Sequence, residues 1–171
     1  MRDIPADALA IGLGGNVGRE AEIRERFVRA REALGQLGDV RSAQLYRTAP
    51  IGPAQPTFLN SAVRVRVVDA TPAELIATVL ELERLLGRDR RSEARWGPRM
   101  IDLDILVWGN RVLRTPELEL PHPRLAERRF VLRPLIDLFG PDAIVVGQTS
   151  TLGALEHRVA TQVLDEAAAT W

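Results

Sequence analysis

The chain has 171 residues, no cysteine, and 23 Lys and Arg against 23 Asp and Glu, for a formal net charge of zero. That length suits one domain over 1–171 with a core that needs no staples, and the missing cysteines exclude a disulfide framework or a thiolate metal site. The charge balance argues against bulk attraction to nucleic acid or a membrane. With no membrane-length apolar run and no signal-peptide core after Met1-Arg2-Asp3, a cytoplasmic protein is expected.

Ala8 to Leu13 reads as a buried strand, and Gly14-Gly15-Asn16-Val17-Gly18 as a turn in which Asn16 caps the next helix. Such a turn could hold phosphate, but without the spacing of a known phosphate loop the structural reading is preferred. From Arg19 to about Leu37, apolar residues Ile23, Phe27, Ala30, Leu34 and Leu37 recur at helical spacing, with Gly38 ending the helix. Val40 to Tyr46 reads as a strand, followed by a loop stiffened by Pro50, Pro53 and Pro56.

Phe58 to Val68 alternates clearly. Leu59, Ser61, Val63, Val65 and Val67 take one face; Phe58, Asn60, Ala62, Arg64 and Arg66 take the other. The aliphatic face should meet helices, which leaves Phe58 and Asn60 together on the open face. An aromatic surface beside an amide suits a flat heteroaromatic ligand, although a half-exposed aromatic beside a solvated Asn is the commoner arrangement. Thr71-Pro72-Ala73-Glu74 is a capping box with Pro at the first helical position, opening a helix with core residues Leu75, Val79, Leu82 and Leu86 and ending near Gly87. Glu83 borders that stripe.

After the arginines Arg88, Arg90, Arg91, Arg95 and Arg99 comes a strand from Ile101 to Val107, with Ile101, Leu103, Ile105 and Val107 on its apolar face. Asp102 and Asp104 share the other face, roughly 7 Å apart. Unpaired buried carboxylates are costly. A Mg²⁺ ion accompanied by a polyphosphate would explain the acids and the arginines together. Acids paired with arginines on an edge strand are the alternative.

In the last third, His122 sits between Pro121 and Pro123, and Arg128 and Phe130 open a helix ending near Leu138. Arg128 is a candidate for phosphate, and Phe130 for a second aromatic wall. A further helix starts at Leu152. The element order predicts an α+β fold with a ferredoxin-like βαββαβ core: an antiparallel sheet, two helices on one face, and additional C-terminal strand and helix elements.

Taken together, these blocks resemble the 6-hydroxymethyl-7,8-dihydropterin pyrophosphokinase family of folate biosynthesis. The resemblance spans nearly the whole chain. It is carried by Ile11-Gly12-Leu13-Gly14-Gly15-Asn16, Tyr46-Arg47-Thr48 through Phe58-Leu59-Asn60, Gly87-Arg88-Asp89-Arg90, Pro121-His122-Pro123 with Arg128 and Phe130, and most specifically Arg95-Trp96-Gly97-Pro98-Arg99 with Asp102-Leu103-Asp104. It implies transfer of diphosphate from ATP to the pterin hydroxymethyl oxygen, with release of AMP. Asp102 and Asp104 would bind two Mg²⁺ ions. Thr48, Ala49, Ile51, Phe58, Asn60, Trp96 and Phe130 would form the pterin site. Glu83, Arg88, Arg99, Ile105, His122 and Arg128 would form the ATP site, with Arg90, Trp96 and Arg99 catalytic.

The implied partners are ATP and the pterin, for a monomer that binds neither nucleic acid nor membrane. Departures are Gly15 where many members have Ser, Ala49 where some have Pro, Leu80 where some have an amide, and altered loop lengths around Pro53–Gln55 and Gly87–Trp96. Two rivals remain: another two-metal phosphoryl or nucleotidyl transferase, which should show a broad basic track, and a non-catalytic pterin- or nucleotide-binding module, which should have lost an acid or a loop arginine.

Overall fold

The computed structural model describes residues 1–50, 54–91 and 97–171. Its elements run β1 (Arg2–Asp3), β2 (Ala8–Gly15), α1 (Glu20–Leu34), β3 (Val40–Ser42), β4 (Leu45–Thr48), β5 (Phe58–Arg66), α2 (Pro72–Leu85), β6 (Asp102–Trp108), β7 (Leu113–Arg114), β8 (Glu119–Leu120), α3 (Arg129–Phe139), β9 (Ala143–Ile144), α4 (Leu152–Arg158) and β10 (Leu164–Ala168). The main sheet has the order β10-β4-β5-β2-β6, with β3 also paired to β5, and its pairings are antiparallel. This is a mixed α+β fold.

Strand alternation sorts the apolar residues into two cores. Leu9, Ile11 and Leu13 of β2, with Val63 and Val65 of β5, face Ile23, Phe27, Ala30 and Leu34 of α1 and Leu75, Val79 and Leu82 of α2. Burying a ring such as Phe27 completely is worth about 2–3 kcal/mol. Ala8, Ala10 and Ala62 point the other way and meet Leu132, Leu135 and Leu138 of α3 and Leu152 and Leu155 of α4. The face expected to be open is therefore partly roofed. Small side chains on the strands let α3 approach closely.

Local chemistry accounts for the boundaries. The Thr71 hydroxyl accepts from Glu74 N–H while the Glu74 carboxylate accepts from Thr71 N–H, the expected capping box. Asn16 does not cap α1. Arg19 occupies that position, with its N–H donating to Glu22. Gly14 and Gly15 continue β2 rather than turning, and the strand expected over 40–46 is broken at Ala43 and Gln44. In β6 the pairing to β2 shifts between Ala10 and Ile11. The bulge places Val107 beside Leu106 in the α3/α4 core instead of continuing the apolar face of Leu103 and Ile105.

Candidate active site

One cross-strand row builds the site. Tyr46 stands opposite Asn60, Asn60 opposite Gly14, and Gly14 opposite Asp102, so these positions share a face across β4, β5, β2 and β6. Asp104 lies two residues along, opposite Gly12. A Cβ at Gly14 would sit 3.3 Å from Asn60 Oδ1 and 3.8 Å from Asp102 Cβ, so the glycine keeps open the gap between amide and carboxylate. Above this floor is a cavity of about 120 Å³. Thr48, Ala49, Gln55, Phe58 and Asn60 line one side, and Arg99, Asp102, Asp104, Arg124, Arg128 and Phe130 the other.

The amide side is rigid. Asn60 Nδ2 donates to Thr48 Oγ1 at 2.7 Å, which leaves Oδ1 over Gly14. Phe58 and Phe130, from β5 and the first turn of α3, supply apolar walls. The acidic side is strongly polarised. Asp102 pairs with Arg88 and Arg99. Burial, with the Asp102 carboxylate beside it, pushes the Asp104 carboxyl up to about 6, and the positive charges of Arg128 and Arg99 only partly offset this. The edge-strand alternative, acids paired with arginines, thus describes Asp102, whereas the charges of Arg128 and Arg99 do not outweigh the burial of Asp104.

Glu83 is 1% exposed and does not line the cavity. Its Oε1 accepts from Arg88 Nη1 at 2.6 Å and from Leu103 N–H at 2.8 Å, and its Oε2 pairs with Arg90 Nη2 at 2.7 Å. It fixes both arginines to the start of β6, so it acts from behind Asp102. Arg88 is likewise buried, whereas Arg90 is half exposed. The side chain of Ile105 lies in the α1/α2 core on the far face of the sheet.

Around His122, Nδ1 accepts from Arg124 N–H at 3.2 Å, so the ring proton resides on Nε2. Burial and the charges of Arg128 and Arg124 hold its pKa below the usual histidine range. Among the described residues Arg128 Nε is a buried donor with no partner, the guanidinium standing 5.6 Å from the Phe130 ring centroid. Such a donor is satisfied by an incoming anion. Trp96 and Ile51, with Arg95, lie outside the described residues.

Sequence reasoning missed Asn16, which is 1% exposed. Its Nδ2 donates to Gln55 Oε1 and Pro56 O, and its Oδ1 accepts from Arg99 N–H. It ties the proline-rich loop to the arginine loop, the two segments that flank the cavity. A buried-strand end followed by a lone Asn was the available signal. Gln55 and Arg124 also line the cavity unannounced.

The donor set suits a hard divalent cation held jointly with phosphate. Two adjacent carboxylates face one cavity, and among the described residues no group of three or more His, Cys, Asp or Glu forms an all-protein cage.

A family model described as 7,8-dihydro-6-hydroxymethylpterin-pyrophosphokinase matches residues 10–140. A Synechocystis 2-amino-4-hydroxy-6-hydroxymethyldihydropteridine pyrophosphokinase is 36% identical over 132 residues, covering 77% of this chain and 66% of that protein. The Bacillus subtilis protein of the same name is 39% identical over 133 residues, covering 75% of each. A mitochondrial folate synthesis bifunctional protein of Arabidopsis thaliana is 42% identical over 138 residues, covering 77% of this chain and 23% of that protein. In three dimensions the chain resembles Plasmodium falciparum HPPK-DHPS with pteroate, with a TM-score of 0.68 at 15% identity, over 88% of this chain and 42% of that one. That likeness speaks for the fold, while the family model and the bacterial relatives speak for descent. The chain belongs to the 7,8-dihydro-6-hydroxymethylpterin-pyrophosphokinase family.

Proposed function

We propose that this chain transfers the terminal diphosphate of ATP to the hydroxymethyl oxygen of 6-hydroxymethyl-7,8-dihydropterin, releasing AMP, as a step of folate biosynthesis. The observation that carries the reading is convergence. The carboxylate pair Asp102/Asp104 and the aromatic–amide set Phe58, Asn60 and Phe130 line one cavity in a chain of this family. The strand order β6-β2-β5-β4, with α1 and α2 on one face, supports a ferredoxin-like core.

In this reading the pterin ring lies between Phe58 and Phe130, with its polar edge on Asn60 and Thr48. Asp102 and Asp104 would hold two Mg²⁺ ions, which would supply charge neutralisation and alignment of the triphosphate. Arg128 and His122 Nε2–H bind phosphate oxygens. Arg99 and Arg88, paired with Asp102, would place positive charge beside the triphosphate. Glu83 and Asn16 hold these groups in place. Catalysis rests on aligning the alcohol with the β-phosphorus and neutralising charge.

The test is product analysis by mass spectrometry with ATP, Mg²⁺ and the pterin, beside an Asp102→Ala/Asp104→Ala control. Pterin diphosphate and AMP in equal amounts, lost in the control, are expected. ADP with pterin monophosphate would refute diphosphate transfer.

A further inference from the structure

The strand that delivers Thr48 to the site is broken at Ala43 and Gln44, and side chains from opposite layers occupy the broken peptide groups. From the α1 side, Trp171 Nε1–H donates to Ala43 O at 2.8 Å and to Ser61 Oγ at 3.0 Å, while the Ser61 hydroxyl donates to Gln44 O at 2.8 Å. From the α3 side, Asp137 Oδ2 accepts Gln44 N–H at 3.1 Å and Tyr46 O–H at 2.7 Å. The break therefore has one defined geometry. It matters because Tyr46 faces Asn60, Ser61 is the next residue along β5, and Thr48 takes the Asn60 amide.

Trp171 reaches this position through β10, which pairs with β4 from Leu164 opposite Thr48 to Ala168 opposite Leu45. Its ring is buried edge-on against Phe27, with centroids 5.8 Å apart, and the Arg31 guanidinium lies 5.2 Å from its centroid. Packing alone would be satisfied by any large ring. The directed N–H, shared by two acceptors at the break, would not. This segment lies beyond residues 10–140, which the family model matches.

We propose that Trp171 is a positioning residue for the pterin end of the site, its indole N–H setting the strand break and, through it, Thr48 and Asn60. The inference rests on the pterin reading above. Its test compares Trp171→Phe and Trp171→Ala in the full chain, well below their melting midpoints, with separate KM values for pterin and ATP. Trp171→Phe keeps an aromatic ring, smaller than the indole, and removes the donor, so KM for the pterin should rise about five-fold while kcat and KM for ATP hold steady.

Asp137→Ala should do the same from the other face, and Asp137→Asn, which keeps an acceptor for Gln44 N–H, should restore it. A lowered melting midpoint with unchanged pterin KM in Trp171→Phe would make Trp171 mere packing and overturn the proposal. If the wild-type chain bound pterin without turning it over, the kinase reading would fail, and the five-fold shift would be sought in the pterin Kd instead.

Discussion

Replacing Glu83 by Gln should destabilise the chain severely while changing almost no volume. The carboxylate is 1% exposed and accepts from Arg88, Arg90 and the Leu103 backbone, and the Arg88 side chain is itself only 4% exposed. Glutamine offers one acceptor oxygen and turns an NH2 group toward a guanidinium that cannot accept it. Removing one partner of a buried ion pair costs about 3–5 kcal/mol, because the remaining charge stays desolvated. Asp102 still pairs with Arg88, which argues for the lower end. With a urea m-value of about 2 kcal/mol/M, the unfolding midpoint should fall by roughly 1.5–2 M at constant slope. Activity should drop as well, since Arg88 and Arg90 lose their common anchor. A midpoint shift below about 0.5 M, which at that slope is about 1 kcal/mol, would refute the claim that Glu83 organises the arginine loop.

Gly14→Ala places a methyl group 3.3 Å from Asn60 Oδ1, and Thr48 prevents that amide from yielding. Turnover should fall about ten-fold at a stability cost of about 1–3 kcal/mol; wild-type kinetics would show that the gap is not used. Arg128→Ala removes the buried Nε donor that has no partner among the described residues, so Kd for MgATP, read by calorimetry, should weaken about ten- to hundred-fold with pterin binding retained. An unchanged MgATP Kd would remove Arg128 from the phosphate site.

The raised Asp104 pKa has a definite sign. Between the ordinary 3.8 and about 6, the folded metal-free chain holds a proton that the unfolded chain has released. Its contribution to stability therefore falls as pH rises through that window. The stability of the wild type minus that of Asp104→Asn, measured by denaturation in chelator, should decline across the same range. A difference that grows with pH would contradict the burial argument.

Alternation along β5 and β6 was legible because each strand has one aliphatic face, which placed Phe58 with Asn60 and Asp102 with Asp104 on the same side. The capping box of α2 was equally plain, being local chemistry. What escaped depended on distant partners. The break at Ala43 is visible only with Trp171 and Asp137 in place, and the bulge that turns Val107 over arises from pairing with β2. Strand β10, Leu-Asp-Glu-Ala-Ala, lacks strand-favouring residues and exists through edge pairing to β4. Asn16 read as an ordinary helix cap, and Glu83 as a residue bordering the α2 stripe that the resemblance put in the ATP site, because burial cannot be read from a single polar letter.

In the proposed reaction one cavity would seat metal-bound triphosphate on Asp102 and Asp104 and the pterin between Phe58 and Phe130. Its most direct test is a crystal structure with the pterin, a non-hydrolysable ATP analogue and Mn²⁺ in place of Mg²⁺. Anomalous peaks within coordination distance of the two carboxylates are expected, with the pterin hydroxymethyl group facing the β-phosphorus. Metal held by phosphates alone, or a pterin bound away from Phe58 and Asn60, would contradict it.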